Sequence, residues 1–594
     1  MEKWYISAKK ADFNSWSQKF AISPVLARII RNRDIVEEEA VYRFLQGELK
    51  DCYSPWLLQG MEDAVNLIIK GIREKYAIRI IGDYDVDGIC SSYILTRGLR
   101  QLGANVDTAI PHRIHDGYGL NEDLIEEARK DGINMIITCD NGIAAAGQIQ
   151  LAIDYGMTVI ITDHHEVPYV EDQGERREIL PPAQAIVNPK QSGCSYPYKN
   201  ICGGLVAYKV IQALTERMEG RMQEHLQDDL LQFAAMATVC DVMELRDENR
   251  IIVKEGLLRL RKSDNLGIRA LLQVNNINQD QLSAYHLGFI LGPSLNAAGR
   301  LDTALKSLEL LECGTWAEAV SCASELKALN DSRKNLTLQG VEAAETYLKE
   351  HNLLNDKVFV AYLPEVHESL AGIIAGRIRE NHHHPVFILT RGEEGIKGSG
   401  RSIETYHMYE GMTEVKHLFI KFGGHKLAAG LTLDSRDYET GEDAAAAFRM
   451  AINQNCQLGE EDFIPKIHID IPMPVDYADM TLCRELSRLE PYGVGNPKPL
   501  FAQKELHFMR GHKMGARQNC ARFQVITPEN TRQELVFFGD LEQFETFLDH
   551  KYGDGRGQLL YLQNCDYQVS VTYQLGINSY RGKEKVQFVM QNYC

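Results

Sequence analysis

Residues 77–88 read AIRIIGDYDVDG. An isoleucine-rich run of strand length ends in three carboxylates, Asp83, Asp85 and Asp87, spaced at alternate positions before Gly88. On an extended chain, side chains two apart share a face. Anions crowded on one face repel one another unless cations hold them together. Hard divalent metals such as Mg2+ and Mn2+ prefer oxygen ligands of this kind. The stretch therefore predicts a metal site at the end of a strand. The pattern D-x-D-x-D-G also opens a calcium-binding EF-hand loop, which closes on a glutamate at its twelfth position. Counted from Asp83 that position is Ile94, which cannot ligate a metal, and the flanking segment reads as a strand instead of a helix. An EF-hand is excluded.

The same alternation continues outward. IRIIGD is followed by the helical SSYILTRGLRQLG, NVDTAIP by NEDLIEEARK, and NMIITCDNG by IAAAGQIQLAIDYG, with MTVIITDHHEVP next. Strands alternating with amphipathic helices imply a mostly parallel sheet covered on both faces. Ligands of such sheets bind beyond the carboxyl ends of the strands. Three strand ends carry candidate ligands: Asp83/Asp85/Asp87, Asp140 in CDNG, and Asp163-His164-His165. Clusters at successive strand ends of one sheet must converge in space. Asp241 is a fourth candidate, because an aspartate ending the apolar helix DLLQFAAMATVC has to be solvated, paired or ligated.

Residues 314–352 are continuously helical in pattern, with no proline, and predict a long helix joining two lobes, bent near residues 330–335. A second α/β unit follows: KVFVAYLP as a strand, ESLAGIIAGRIREN as a helix, PVFILT as a strand and IKGSGRS as a strand or turn. It ends in the glycine-rich FGGHKLAAGLTL and a helical stretch to about residue 456. NHHHP, residues 381–385, reads as a helix-exit loop, not a metal site, since nothing acidic joins it. From residue 463 onward LHFMRG, ARFQVITP, ELVFFGD, QLLYLQN, YQVSVTYQLGI and KVQFVMQNY read as short strands of a small β-barrel. There is no internal repeat or low-complexity tract.

Composition bounds these readings. A chain of 594 residues is too long for one core and implies three or four domains. Its 44% hydrophobic and 25% charged content is that of a globular protein, and no apolar run is long enough to span a bilayer. The start, MEKWYISAKK, has no signal-peptide apolar core. Thirteen cysteines without a C-x-x-C pair suggest reduced thiols in the cytoplasm. The net charge of −18 does not exclude nucleic acid, because bound metals offset carboxylates and a basic groove can coexist with an acidic surface.

Asp85, Asp87, Asp140, His164 and Asp241 supply more ligands than one small cation needs. Two metals sharing a bridging carboxylate use them all, and such a pair activates water and stabilises a phosphoryl transition state. Mixed aspartate and histidine ligation suits Mn2+ or Mg2+ better than a closed zinc site. His165, beside a ligand, is placed to bond a phosphate oxygen or shuttle a proton. Phosphate recognition calls for glycine-rich loops with arginines; NAAGR (296–300), GSGRS (398–402) and GGH (423–425) are the candidates. With the dinuclear site they point to a phosphodiester substrate.

DYDVDG, CDNG, DHH and Asp241 resemble, in order, the four metal-binding motifs of the DHH phosphoesterase superfamily, and FGGHKLAAG and GSGRS resemble its DHHA1 domain. GDYDVDG, TVCDVMEL-x4-NR, LNAAGRL, LN-x2-RK and PYGVGNPKPLF bring the chain nearer still to that superfamily's single-strand-specific exonucleases, in which the last motif introduces an OB-type domain. The resemblance covers nearly the whole chain.

It implies an α/β architecture: a parallel-sheet DHH catalytic domain (71–250), a helical region and long connecting helix (251–352), a smaller α/β DHHA1 domain (353–460) and a C-terminal OB-type β-barrel (461–594), after an N-terminal helical extension (1–70). The implied activity is a metal-dependent exonuclease that degrades single-stranded DNA from the 5′ end to 5′-mononucleotides, in DNA repair and recombination. Asp85 and Asp140 would bind one Mn2+ or Mg2+. Asp87, Asp140, His164 and Asp241 would bind the other, with Asp140 bridging and Asp83 assisting the first. His165 would contact the scissile phosphate. Ser399, Arg401, His425 and the glycines Gly423 and Gly424 would hold the DNA backbone or 5′ phosphate, and Asn296 and Arg300 would line the path. The expected setting is a cytoplasmic monomer, with no membrane contact and with a helicase and a single-strand-binding protein as candidate partners.

Two departures from the superfamily stand out: Ile81 occupies the place of a histidine four residues before Asp85, and V-H-E-S-L-A-G (366–372) puts Ser369 where a small loop residue follows His367. Two other functions share the site chemistry: hydrolysis of short oligoribonucleotides or cyclic dinucleotides, and an inactive DNA-binding scaffold. Length and the OB-type domain argue against the first, and a full ligand set against the second.

Overall fold

The computed structural model describes residues 2–111, 119–172, 175–218, 225–392, 395–580 and 582–594. It contains two compact units, one of Tyr53–Met243 and Glu255–Pro465, the other of Glu2–Cys52, Glu244–Lys254 and Lys466–Cys594.

The first unit is built on two sheets. In the N-terminal one, five parallel strands lie in the order Asn105–Ala109, Ala77–Gly82, Met135–Cys139, Thr158–Thr162, Ala185–Val187. The three central strands are almost wholly buried, which is why they read as unbroken apolar runs. Ile81, at the place of the superfamily's histidine, is fully buried in this core with Ile136, Val159 and Ile161. The last strand and the antiparallel pair Tyr169–Asp172/Glu175–Glu178 were not anticipated: AIV is too short, and YVED and ERRE too polar, to give a strand signal.

The predicted long helix is Trp316–Glu350, uninterrupted over 35 residues and opened by a Thr315/Glu318 capping box. It packs on the helices Leu266–Val274 and Gly292–Leu301 and on Glu368–His382 of the second sheet's layer. That second sheet runs Phe419–Gly424, Ala428–Leu433, Gly395–Arg401, Val386–Gly392, Phe359–Tyr362, with only the last pair parallel. IKGSGRS is therefore a strand. NHHHP is the helix exit expected of it, with His383 in the left-handed conformation after His382. The reason given for that reading was wrong, however: Glu345 accepts from His382 Nε2 at 3.0 Å, while His384 is stacked between Phe359 and Phe463.

In the second unit, five strands close into a barrel in the order Phe501–Met514, Cys520–Ile526, Arg532–Phe537, Lys583–Tyr593, Tyr567–Tyr580, the last pairing back to the first. Phe508, Phe523 and Phe544 fill its core, each worth about 1.5–3 kcal/mol on burial. One expected strand is absent: QLLYLQN falls in the helix Arg556–Leu562. A short apolar run carries no period that separates strand from helix. Here Gly557 comes so close to the Glu545 backbone that a Cβ would lie 2.4 Å from its carbonyl oxygen, so the segment pairs with the helix Leu541–Tyr552 instead of joining the sheet.

The helices Phe13–Phe20, Pro24–Asn32 and Glu38–Gln46 share the barrel unit's core, whereas Met61–Arg73 belongs to the first unit, so residues 1–70 are not one extension. Lys3–Ile6 pairs with Lys466–Ile469, and Arg33 makes a buried bidentate bond to Asp470 at 2.6 and 3.0 Å. Buried Arg250 donates to the carbonyls of Phe44, Arg488, Leu489, Glu490 and Pro491 at 2.8–3.3 Å. Backbone oxygens far apart in sequence are satisfied by this one guanidinium. Among the described residues no helix is long and apolar enough to cross a membrane, and all thirteen cysteines are free thiols.

Candidate metal centre and phosphate-binding face

The strand Ala77–Gly82 is flanked on one side by the next strand in sequence and on the other by Met135–Cys139. The strand order reverses there, and in an open α/β sheet that is where a ligand crevice forms. The three aspartates of DYDVDG do not share a strand face as the alternation suggested. The strand stops at Gly82 and the helix Val86–Gln101 starts at once. Asp85 is the N-cap, its Oδ1 accepting from Asp87 N at 2.9 Å and Gly88 N at 3.2 Å. The carboxylates converge because the chain turns, not because it is pleated. Gly88 is required for that turn: a Cβ would lie 2.3 Å from the Asp83 carbonyl oxygen.

Asp87, buried in the first turn, points at the start of another helix, Gly203–Arg217. Its Oδ2 accepts from Gly203 N at 2.7 Å and its Oδ1 from Gly204 N at 2.6 Å. A helix start carries unpaired N–H groups and a partial positive charge, so it is a natural partner for a buried anion. Both glycines are demanded by crowding: a Cβ on Gly203 would lie 2.8 Å from Asp140 Cβ, and one on Gly204 would lie 2.5 Å from Ala237 Cβ. The sequence reading missed this pair. The only signal was a double glycine, ICGG, opening an apolar helix.

Asp140 follows the strand Met135–Cys139 with a φ of 61°. Next to it, Asn141 donates to the Ile81 and Cys139 carbonyls at 3.2 and 3.1 Å, tying the two strand ends together. After Thr158–Thr162 come Asp163, His164 and His165. Asp163, proposed with its neighbours as a ligand cluster, faces inward instead. It accepts from Ile143 N at 2.9 Å, His164 N at 2.7 Å and His165 Nδ1 at 2.8 Å. A carboxylate acceptor at Nδ1 orients the His165 ring and leaves Nε2 as the working nitrogen. His164 Nε2 lies 3.0 Å from Asp140 Oδ1, 3.5 Å from Asp87 Oδ2 and 3.7 Å from Asp241 Oδ2.

Donor atoms of Asp83, Asp85 and Asp140 lie within 4.8 Å of one another, as do those of Asp87, His164 and Asp241, and those of Asp140, His164 and His165. The structure thus brings together all six proposed ligands, with Asp83 grouped beside Asp85 and Asp140. The electrostatics match. Burial, then Asp87, pushes the Asp85 carboxyl up; burial and the aspartates around it push Asp140 well above the carboxylate range. Asp241 is pushed up to about 9 by burial and by Asp87 and Asp85. Burial lowers His164, keeping the neutral, ligating ring; at His165 burial is opposed by the bond to Asp163 together with the charges of Asp163, Asp241 and Asp87, which raise the ring to about 9. Asp241 Oδ2 is buried without a hydrogen-bond partner. Clustered, mutually repelling oxygens with an unfilled acceptor fit hard divalent cations.

The second sheet places the glycine motifs side by side. Ser399 lies opposite Gly430, which lies opposite Gly423; Gly400 is likewise aligned with Ala429 and Gly424. A Cβ on Gly423 would meet nothing within 4 Å, so this row is bare backbone beside one hydroxyl. Arg401 Nη1 bonds the Gly400 carbonyl at 2.8 Å, and Gly372 passes close to Ser399 and Arg401. His425 is exposed in the turn after Gly424. Asn296 and Arg300 sit on Gly292–Leu301. Arg300 donates to the Ser369 carbonyl at 2.8 Å, and the Ser369 hydroxyl lies 2.7 Å from His367 Nδ1. Arg300 thus reaches the backbone at Ser369, while the departing side chain bonds the N-cap of its own helix.

The region around the carboxylates matches the DHH family N-terminal domain over residues 77–238, the second sheet matches the DHHA1 domain over 355–457, and the barrel matches the RecJ OB domain over 469–592. These define the class: the chain is an enzyme, a metal-dependent nuclease of the DHH phosphoester hydrolases. It is 32% identical over 592 residues to the single-stranded-DNA-specific exonuclease RecJ of Escherichia coli, covering 96% of each chain. It is 31% identical over 595 residues to the protein of that name in Bacillus subtilis, covering 99% of this chain and 70% of the relative. The crystal structure of RecJ from Thermus thermophilus in complex with Mn2+ superposes with a TM-score of 0.79 at 26% identity, covering 100% of this chain and 79% of that one. The chain belongs to the RecJ family.

Proposed function

We propose that this protein is a 5′–3′ exonuclease specific for single-stranded DNA, which hydrolyses terminal phosphodiester bonds with two divalent metals, Mn2+ or Mg2+, and releases 5′-mononucleotides. The observation that carries this reading is the pair of ligand groups, Asp83/Asp85/Asp140 and Asp87/His164/Asp241, meeting at one switch point. The substrate named for the relatives supports it.

Asp85 and Asp140, assisted by Asp83, would hold one cation; Asp87, His164 and Asp241, with Asp140 shared, would hold the other. When bound, the pair supplies Lewis acidity at the phosphoryl oxygens and an activated water. His165, its Nδ1 proton committed to Asp163, turns Nε2 toward a non-bridging oxygen of the scissile phosphate. Ser399, Arg401 and His425 hold the backbone or 5′ phosphate, with Gly423 and Gly424 letting the strand approach main-chain atoms. Asn296 and Arg300 line the path, and the barrel holds the single strand beyond. We place the enzyme in the cytoplasm, as a monomer in DNA repair and recombination, with a helicase and a single-strand-binding protein as partners. The thirteen free thiols support a reducing compartment.

The test compares 5′- and 3′-labelled single strands with duplex and with RNA, with and without Mn2+. Early release of labelled mononucleotide from the 5′ end, only with metal, is expected. Release first from the 3′ end overturns the polarity, and faster cleavage of short RNA or cyclic dinucleotides replaces the substrate. Hydrolysis that survives Asp140→Ala overturns the two-metal assignment.

A further inference from the structure

The helical stretch that carries Asn296 and Arg300 is not uniform. Ala284–His286 is α-helical, Leu287–Leu291 is a π-helical turn, and Gly292–Leu301 resumes the α-helix. π turns are rare and recur at functional sites. This one lies against the metal centre. The Leu287 carbonyl accepts from the Cys240 thiol at 3.6 Å, and a Cβ on Gly292 would lie 2.6 Å from Cys240 Sγ. Cys240 immediately precedes Asp241. At the other end of the stretch, a Cβ on Gly299 would lie 2.7 Å from the Tyr84 carbonyl oxygen, inside DYDVDG. One rod therefore touches both halves of the carboxylate cluster.

Its outer face carries Tyr285 and Phe289, one turn apart, 62% and 68% exposed. Their rings are stacked, with centroids 5.0 Å apart and planes 24° from parallel. Scattered exposed apolar residues need no explanation, but two large parallel rings exposed together do. We propose that Tyr285 and Phe289 form a base-stacking platform for the part of a DNA single strand that extends past the metal centre. This rests on the proposed exonuclease reading and adds the residues that grip the strand outside the reacting phosphodiester.

Nucleic acid is the occupant because the rod bearing the rings is the one whose inner face is seated on Cys240 and Tyr84, the neighbours in sequence of the proposed ligands Asp241, Asp83 and Asp85. A strand held at the proposed ligands would leave the reaction site past this rod. Electrostatic capture of phosphates is weakened on a chain of net charge −18, whereas stacking on aromatic faces needs neither charge nor a particular base. A duplex has no free base faces to offer, so the platform also favours single strands.

The test uses the full chain with Mn2+. Wild type, Tyr285→Ala/Phe289→Ala and the ring-preserving Tyr285→Phe/Phe289→Tyr are compared on a strand of about twenty nucleotides and on a trinucleotide. The advantage in kcat/KM of the long strand is expected to shrink about tenfold or more in the alanine variant and to be kept in the ring-preserving one. A second measurement needs no turnover: 2-aminopurine is walked along a strand bound to Asp140→Ala protein. Quenching is expected at one short run of positions and should vanish when both rings are also removed. An unchanged length preference, or quenching indifferent to the rings, overturns the platform. Should the alanine pair fail to fold, Phe289→Ser alone, read by the same quenching, decides. A wild type inert on every single strand overturns the exonuclease reading instead, and the binding measurement still judges the platform.

Discussion

The two sheets of the larger unit would, in the proposed reaction, meet a phosphodiester with opposite materials. The parallel sheet gathers Asp83, Asp85, Asp87, Asp140 and Asp241 around His164 at its switch point, all anionic groups crowded in a buried crevice. The mixed sheet offers Gly423, Gly430 and Ser399 in register, a bare strip of backbone with Arg401 at its end. The first can approach a phosphate only through cations; the second can approach it directly. A nuclease needs both, since the group that must be attacked and the group that must merely be held carry the same charge. Segregating them on different sheets would keep the proposed holding residues from neutralising the carboxylates proposed to recruit metal.

The largest expected effect breaks the acidic side. Asp140→Ala removes the shared carboxylate and should cut hydrolysis by about a thousandfold or more. In chelator at neutral pH the same variant should melt above wild type, because folding no longer has to suppress the ionisation of a carboxyl that burial and its neighbours push well above the carboxylate range. Lower melting would mean that Asp140 is a structural residue. Next is Gly203→Ala, which drives a methyl against Asp140 Cβ. Overpacking should cost about 1–3 kcal/mol in thermal or chemical unfolding, and displacement of the ligand about a hundredfold in kcat. Wild-type activity there would show that the crowding relaxes elsewhere. Asp163→Asn leaves the proposed ligands in place but removes the carboxylate that holds the His165 ring oriented and protonated, so a loss of about 10–100-fold is expected with metal binding largely retained. Titration with Mn2+ separates the two. The smallest effect probes the glycine strip. Gly423→Val fills open space, so unfolding should move by no more than about 0.5 kcal/mol. The KM for single strands should rise about tenfold or less, with kcat nearly unchanged. A pure kcat defect would mean the strip does not hold the strand.

What the chain reveals to a reader follows the same division. The metal centre was largely legible because its donors sit at the ends of apolar strands, and a parallel sheet forces successive strand ends together. The convergence of Asp83, Asp85 and Asp87 was expected for the wrong reason: pleating was invoked where an N-cap turn does the work. Contacts between distant segments were invisible. Nothing local in ICGG says that its amides will bind Asp87, and nothing in NHHHP points to Glu345. Asp163 looked like the other strand-end aspartates, since an aspartate that could hold a metal and one that orients a histidine are the same amino acid. In the barrel unit, QLLYLQN failed because a helix buried on one side and a strand share the same short apolar run. The attachment of residues 2–52 to that unit failed because it depends on Arg33, Asp470 and Arg250 finding one another across hundreds of residues.

The helix that begins at Gly203 has a consequence for the enzyme between turnovers. Its first amides act as a counterion built from peptide bonds, covalently tethered and always present. Metal exchanges with solvent; this partial charge does not. A centre relying on dissociable ions alone would be left with its whole burden of repulsion whenever metal fell away. With Asp87 engaged by these amides, part of the crevice's negative charge is balanced by groups that cannot dissociate.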